Sequence, residues 1–116
     1  MMDAQHKQNQ TKRPDKETLR QRIIEILKTV YDPEIPVDIW ELGMIYDISI
    51  DDDYVAHIKM TLTTPNCPVA GSLPGEVERR VRDVEGLKDV KVKLVWDPPW
   101  TPEMMSEAAR IQLGYF

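Results

Sequence analysis

Two alternating segments separated by three aspartates constrain the fold of this chain more than any other feature. In residues 44–50, Met44, Tyr46, Ile48 and Ile50 share one parity, and Ile45, Asp47 and Ser49 take the other. In residues 54–63, Ala56, Ile58, Met60 and Leu62 lie on one side, opposite Val55, His57, Lys59, Thr61 and Thr63. A period of two is the mark of a strand with one buried face. The gap, Asp51-Asp52-Asp53, is short and carries like charges that belong in solvent, so the pair predicts an antiparallel hairpin. A calcium loop at this place would need further oxygen ligands in fixed order, and they are absent. His57, on the outward parity, reads as an ordinary, partly exposed histidine.

Elsewhere the period changes to that of a helix. Leu19, Ile23, Ile26, Leu27 and Val30 form one apolar stripe, with Thr18 a suitable N-cap and Asp32-Pro33 a stop. Residues 33–43, with two prolines and Gly43, predict an ordered loop that carries apolar anchors. Leu73, Val77, Val81 and Val84 place a second helix over 73–84. Pro74 is comfortable only in a first turn, so either Ser72 caps a late start or an earlier turn is kinked. Val90, Val92 and Leu94 alternate with Lys91, Lys93 and Val95 in a third strand over 89–95. Thr101 and Pro102 then open a short last helix over 103–111.

The order αββαβ plus a short C-terminal helix predicts an α+β, two-layer domain, a small three-stranded sheet packed against helices. Leu19, Ile23, Leu27, Ile48, Ile58, Met60, Val77, Val81, Val92 and Leu94 are expected to form most of the core. Strand order stays open. The outward parities mix Val55 and Val95 with lysines and threonines, which invites partial cover by loops or a second subunit. The polar residues 1–17 are expected to be a disordered leader, and residues 18–116 a single domain.

Charge and cysteine usage narrow the chemistry. A net charge of -5 gives no overall positive field for nucleic acid or anionic lipid. No apolar run approaches the roughly 20 residues that span a bilayer. One cysteine excludes an internal disulfide and fits a reducing compartment, so a cytoplasmic protein is expected, with neither nucleic acid nor membrane as partner. No phosphate-cradling glycine loop, GxSxG elbow or HExxH pair is present, so no enzyme activity is expected.

The one cysteine, Cys67, lies in Thr61-Leu62-Thr63-Thr64-Pro65-Asn66-Cys67-Pro68, a stiff strand-to-helix turn. Two readings of it stand. A thiol just before a helix meets unpaired N–H groups and the positive dipole end, which favours a reactive or metal-binding thiolate. A solitary cysteine is equally a small buried hydrophobe. Glu34, Asp38, Glu41 and Asp97 are carboxylates in stiff loops, where sites often sit. Asp32 and Asp97 precede prolines and also suit turn capping. Trp40, Trp96 and Trp100 read as core anchors or as partner hot spots.

Asp32-Pro33-Glu34-Ile35-Pro36, Leu42-Gly43-Met44-Ile45-Tyr46, the Cys67 block and Asp97-Pro98-Pro99-Trp100-Thr101 occur in this order. Together they resemble the MIP18 family, also called the domain of unknown function 59 family, over about residues 19–114, and its SufT-like branch most. That resemblance implies an accessory factor in iron–sulfur protein maturation, which binds client or assembly proteins and holds iron or a labile iron–sulfur cluster transiently. The family's motif cysteine matches Cys67, its acidic motif Asp32 and Glu34, and its threonines Thr61 and Thr63. Asp38 joins Asp32 and Glu34 as a further oxygen ligand for a mononuclear iron, and Trp100 is a further functional candidate. A homodimer is also expected. The alternative is a non-catalytic interaction subunit of a multicomponent oxygenase, as in the family's PaaD-like members.

Overall fold

The computed structural model describes residues 14–32, 35–63 and 72–114. Helix α1, Lys16–Leu27, is followed by strands β1, Ile45–Ile50, and β2, Val55–Met60. Helix α2, Leu73–Arg82, leads to β3, Asp89–Leu94, then a 3-10 turn at Pro102–Met104 and helix α3, Glu107–Leu113. The mixed α+β order matches the alternation of periods two and 3.6 in the sequence.

The strands lie in the order β1-β2-β3, with β1 antiparallel and β3 parallel to β2. A parallel pair needs a crossover, and α2 supplies it. Both α1 and α2 pack on one face, α1 against β1 and α2, and α2 against β3. Ala56, Ile58 and Met60 point into that layer and are completely or almost completely buried. Eight of the ten residues expected in the core are buried; Val92 and Leu94 are half-buried and packed against it. The loop between α1 and β1 contributes more than its irregularity suggests: Val37, Ile39 and Leu42 are all buried.

Several boundaries differ from the sequence expectation, each for a local reason. The cap of α1 is Asp15, whose Oδ1 accepts the Thr18 N–H at 2.7 Å, because a carboxylate placed three residues earlier reaches the orphan donor. Asp51 is not a merely solvated turn residue. Its Oδ1 accepts the N–H groups of Asp53 and Val55, and its Oδ2 lies 2.9 Å from His57 Nε2, which with those N–H groups holds its carboxyl below the ordinary 3.8. The last helix is split: Met105 is extended, and Ser106 caps α3 by accepting the Ala109 N–H at 3.1 Å. Helix α2 starts at Leu73 with Pro74 in its first turn, so the late start is the one adopted.

A bulge alters the parity at the start of β1. Ile45 pairs with Met60 and Asp47 with Lys59, which leaves Tyr46 as the extra residue. Ile45 therefore packs partly against the core instead of facing out. Thr61, expected on the outward parity, is fully buried beside the Tyr46 side chain, whose hydroxyl is in turn tied to Pro98 and Met104.

Two substitutions test this arrangement by denaturant unfolding. Ile58→Ala removes the middle of the central strand's buried face and should cost about 2–5 kcal/mol. An unchanged midpoint would mean that the inward parity of β2 is wrong. Gly43 has φ +78°, and a Cβ there would overlap the Met104 carbonyl. Gly43→Ala should therefore lose roughly 2 kcal/mol or more, from backbone strain and from prising the 3-10 turn off the β1 entry.

Candidate functional site

Three of the four sequence blocks named above are joined by hydrogen bonds at one corner of the sheet, where β1 begins and β2 and β3 end. The Trp100 indole N–H donates to the Leu42 carbonyl at 2.7 Å, and the Tyr46 hydroxyl donates to the Pro98 carbonyl at 2.8 Å. Met104 Sδ lies 3.4 Å from the same hydroxyl. The Thr61 N–H donates to the Met44 carbonyl at 2.9 Å, which ties the end of β2 to the same corner. Ser106 fastens the C-terminal segment from the other side: its N–H donates to the Glu41 carbonyl at 2.8 Å and its hydroxyl to Glu41 Oε1. The fourth block, Asp32–Pro36, is bonded within its own turn; the loop after it runs to the corner, with the Ile39 N–H donating to the Val30 carbonyl and the Met44 N–H to the Ile39 carbonyl.

Both described aspartates of the acidic set are engaged in turns. Asp32 is 5% exposed and its Oδ1 accepts the Ile35 N–H at 3.0 Å. Asp38 accepts the Glu41 N–H on Oδ2 at 3.0 Å, and Tyr31 and Asp38 form an isolated antiparallel bridge that brings the two acidic positions onto one short hairpin. Burial pushes the Asp38 carboxyl above its ordinary 3.8, the nearby Glu41 charge adds to the rise, and backbone N–H groups oppose it. Beside this hairpin a half-open cavity of about 240 Å³ is lined by Tyr31, Val37, Asp38, Glu41, Ala108 and Gln112.

Thr61 is the buried polar group of the corner. Its Oγ1 has no hydrogen-bond partner among the described residues, although it is near enough to the Tyr46 hydroxyl to influence it. Burial raises the Tyr46 pKa, Thr61 works against that rise, and the Asp97 charge adds to it. Thr63 is half-buried just beyond. Trp100 is half-buried with its N–H used internally, which makes it an anchor of the corner. Cys67 and Glu34 lie outside the described residues. With α2 beginning at Leu73, the first turn of that helix is not adjacent in sequence to Cys67, and the dipole argument for a thiolate loses force.

Among the described residues no group of three or more His, Cys, Asp or Glu side chains is placed to hold a metal ion. No helix among them is long and apolar enough to cross a membrane. Sequence reasoning did not anticipate the parts played by Tyr46 and Ser106. Tyr46 stood in a recognised block, but only the bulge aims its hydroxyl at Pro98. Ser106 does offer an N-cap with Glu107 in the first turn, hidden by the better-looking Thr101-Pro102 start five residues earlier.

The family described as iron–sulfur cluster assembly protein matches residues 20–94. A Bacillus subtilis protein named Fe-S protein maturation auxiliary factor YitW is 45% identical over 98 residues, covering 84% of this chain and 96% of its own. The Staphylococcus aureus Fe-S protein maturation auxiliary factor SufT is 40% identical over 85 residues, covering 73% of this chain and 97% of its own. A crystal structure of a domain of unknown function 59 protein from Bacillus anthracis superposes with a TM-score of 0.80 at 37% identity, over 87% of this chain and 96% of that one. The corner therefore belongs to a known fold with known relatives, and this chain is a member of the iron–sulfur cluster assembly protein family, the domain of unknown function 59 family with its SufT-like branch.

Proposed function

We propose that this protein is a non-catalytic accessory factor in the maturation of iron–sulfur proteins. It works in the cytoplasm, binds assembly or client proteins, and holds iron or a cluster transiently through Cys67. The observation that carries this reading is a mismatch between organisation and ligands. Three of the four blocks that mark the family meet at one corner of the sheet, the cysteine block through Thr61, yet the described residues supply no set of three metal ligands.

Coordination arithmetic explains why iron is treated as cargo. A [2Fe–2S] cluster usually takes four protein ligands, cysteine with histidine as the common substitute. This chain has one cysteine and two histidines, and His57 is committed to Asp51 on the sheet. Three arrangements remain. A cluster can be shared across a homodimer with non-protein thiols, a mononuclear iron can take Cys67 with Asp32, Glu34 or Asp38, or Cys67 can touch a cluster that another protein holds. Each is labile, which suits transfer. Thr61 and Thr63 lead from β2 into the Cys67 segment, and the buried Thr61 hydroxyl is a donor that could steady a thiolate or a sulfide there.

The deciding comparison is anaerobic iron binding and activation of a cluster-dependent client by wild type and Cys67→Ser. Both should fall sharply in the variant. Equal iron binding and equal activation by Cys67→Ser would remove the cysteine from the mechanism and leave an adaptor.

Asp38 can be tested apart from its role in folding. Its folded pKa lies above 3.8, so the native state binds its proton more tightly than the unfolded chain does. The associated stability is complete below 3.8 and is lost as pH rises through the folded value. Asparagine keeps an acceptor for the Glu41 N–H without the ionisation cost. Metal-free Asp38→Asn should therefore be as stable as wild type at pH 7, or more so, and should lack the wild type's gain on acidification. A fall in iron binding with the fold intact is then expected; unaltered iron affinity would strike Asp38 from the ligand set.

A further inference from the structure

The helices cover one face of the sheet, and the other face carries a group of cations that the proposed iron chemistry does not use. Residues paired across strands share a face. The register sets Asp47 beside Lys59 and Lys59 beside Lys93, with Ser49, His57 and Lys91 in the next row. Lys59, Lys91 and Lys93 are exposed, and none makes an ion pair among the described residues. His57 is held by Asp51, and Asp89 by Arg82 and the Val90 N–H, with a smaller effect from Lys91.

Protection of an exposed edge accounts for part of this. Lysines on an edge strand discourage pairing with another chain, and β3 is an edge. That explanation does not extend to Lys59, which sits on the central strand between Asp47 and Lys93. The Asp47 pairing favours the sheet, and the Lys93 pairing sets like charge against like. The chain carries a net charge of -5, while on this face Lys59, Lys91 and Lys93 meet only Asp47 and Asp89, the latter already paired with Arg82. It adjoins the functional corner, because Lys59 precedes Thr61 by two residues and Lys93 is one residue from the end of β3.

We propose that this uncovered face docks an extended acidic segment of a partner protein, with carboxylates at alternate positions. The spacing is the argument. Lys91 and Lys93 are two residues apart on one strand, about 7 Å, and Lys59 and Lys93 are neighbours across strands at about 5 Å. Carboxylates at positions i and i+2 of an extended chain repeat at the same 7 Å interval. A nucleic acid would require a longer positive track than three lysines on an acidic protein provide. Resting on the reading above, the inference makes the partner the protein that delivers or receives iron or a cluster, held beside the end of β2.

The test uses the full, metal-free chain at low salt. The probe is a fluorescent ten-residue peptide of alternating glutamate and threonine, with its glutamine counterpart and a ten-nucleotide single strand of DNA as controls. The glutamate peptide should bind, the glutamine peptide should not, and amide shifts should concentrate at His57, Lys59, Lys91 and Lys93. Lys59→Glu/Lys91→Glu should weaken binding by about tenfold or more. It should keep its thermal midpoint, since Lys59→Glu exchanges the repulsion with Lys93 for one with Asp47. Lys59→Arg/Lys91→Arg should bind like wild type. Absence of binding, equal binding by the charge-reversed variant, or shifts that map to the α2 arginines would overturn the proposal. Tighter binding of the DNA would assign the face to a different class of partner and overturn it too. Cys67→Ser should bind the peptide as wild type does, so loss of iron binding with docking preserved would count against the iron reading alone.

Discussion

Pairing on both sides of β2 is the constraint from which the rest of this domain follows. A central strand with antiparallel and parallel neighbours has its backbone donors and acceptors satisfied within the sheet, so its inward side chains can be buried without a polar cost. That frees Ala56, Ile58 and Met60 to sit beneath α1 and α2. The parallel pairing with β3 imposes a second consequence. A chain leaving β2 at Met60 must cross over the helical layer before it can return as β3. Thr61 and Thr63 stand at the beginning of that crossover, so their position at the end of the sheet is dictated by topology.

The corner is held by the C-terminal segment rather than by the sheet. Trp100, Pro98, Met104 and Ser106 each meet the stretch from Glu41 to Tyr46 through a hydrogen bond or a direct contact. Gly43 allows the closest approach, since its positive φ and missing side chain let the Met104 carbonyl lie against the backbone. The result is a corner built from parts distant in sequence. Its rigidity comes from main-chain carbonyls accepting side-chain donors, a geometry that tolerates little displacement.

What the sequence made legible was whatever a period or a cap could express. Strand existence, the inward parity of β2, both main helices and the αββαβ order follow from the spacing of apolar residues. The outward placement of Thr61 failed because parity describes a strand in isolation, and Thr61 is buried beside Tyr46, which a bulge on the neighbouring strand re-aims. The bulge at Tyr46 was illegible for a similar reason: nothing in Met44-Ile45-Tyr46 distinguishes an extra residue from a regular one. The turn-capping use of Asp32 was readable from the proline that follows it. The raised pKa of Asp38 was not, because it depends on burial by a loop whose apolar anchors have no fixed period.

The same limits bear on how a chain so poor in ligands can serve metal traffic. A protein that keeps a cluster needs a closed ligand set and a site protected from exchange. Described residues here offer the opposite: two aspartates already tied to backbone N–H groups, a half-open cavity beside them, and a buried threonine hydroxyl without a partner among those residues. Carboxylates of this kind can lend an oxygen to iron but do not bind it tightly, since each must also keep its turn. Weak, incomplete coordination is a defect in a storage site and an advantage in a hand-over, where the cargo must leave as readily as it arrives. Selectivity then has to come from recognition of the giving or receiving protein. The only surfaces available for that are those the fold leaves uncovered, and of these the lysine-bearing face of the sheet lies next to the exit of β2. On the proposed reading the helices would provide stability, the corner position, and the side of the sheet that the helices do not touch the choice of partner.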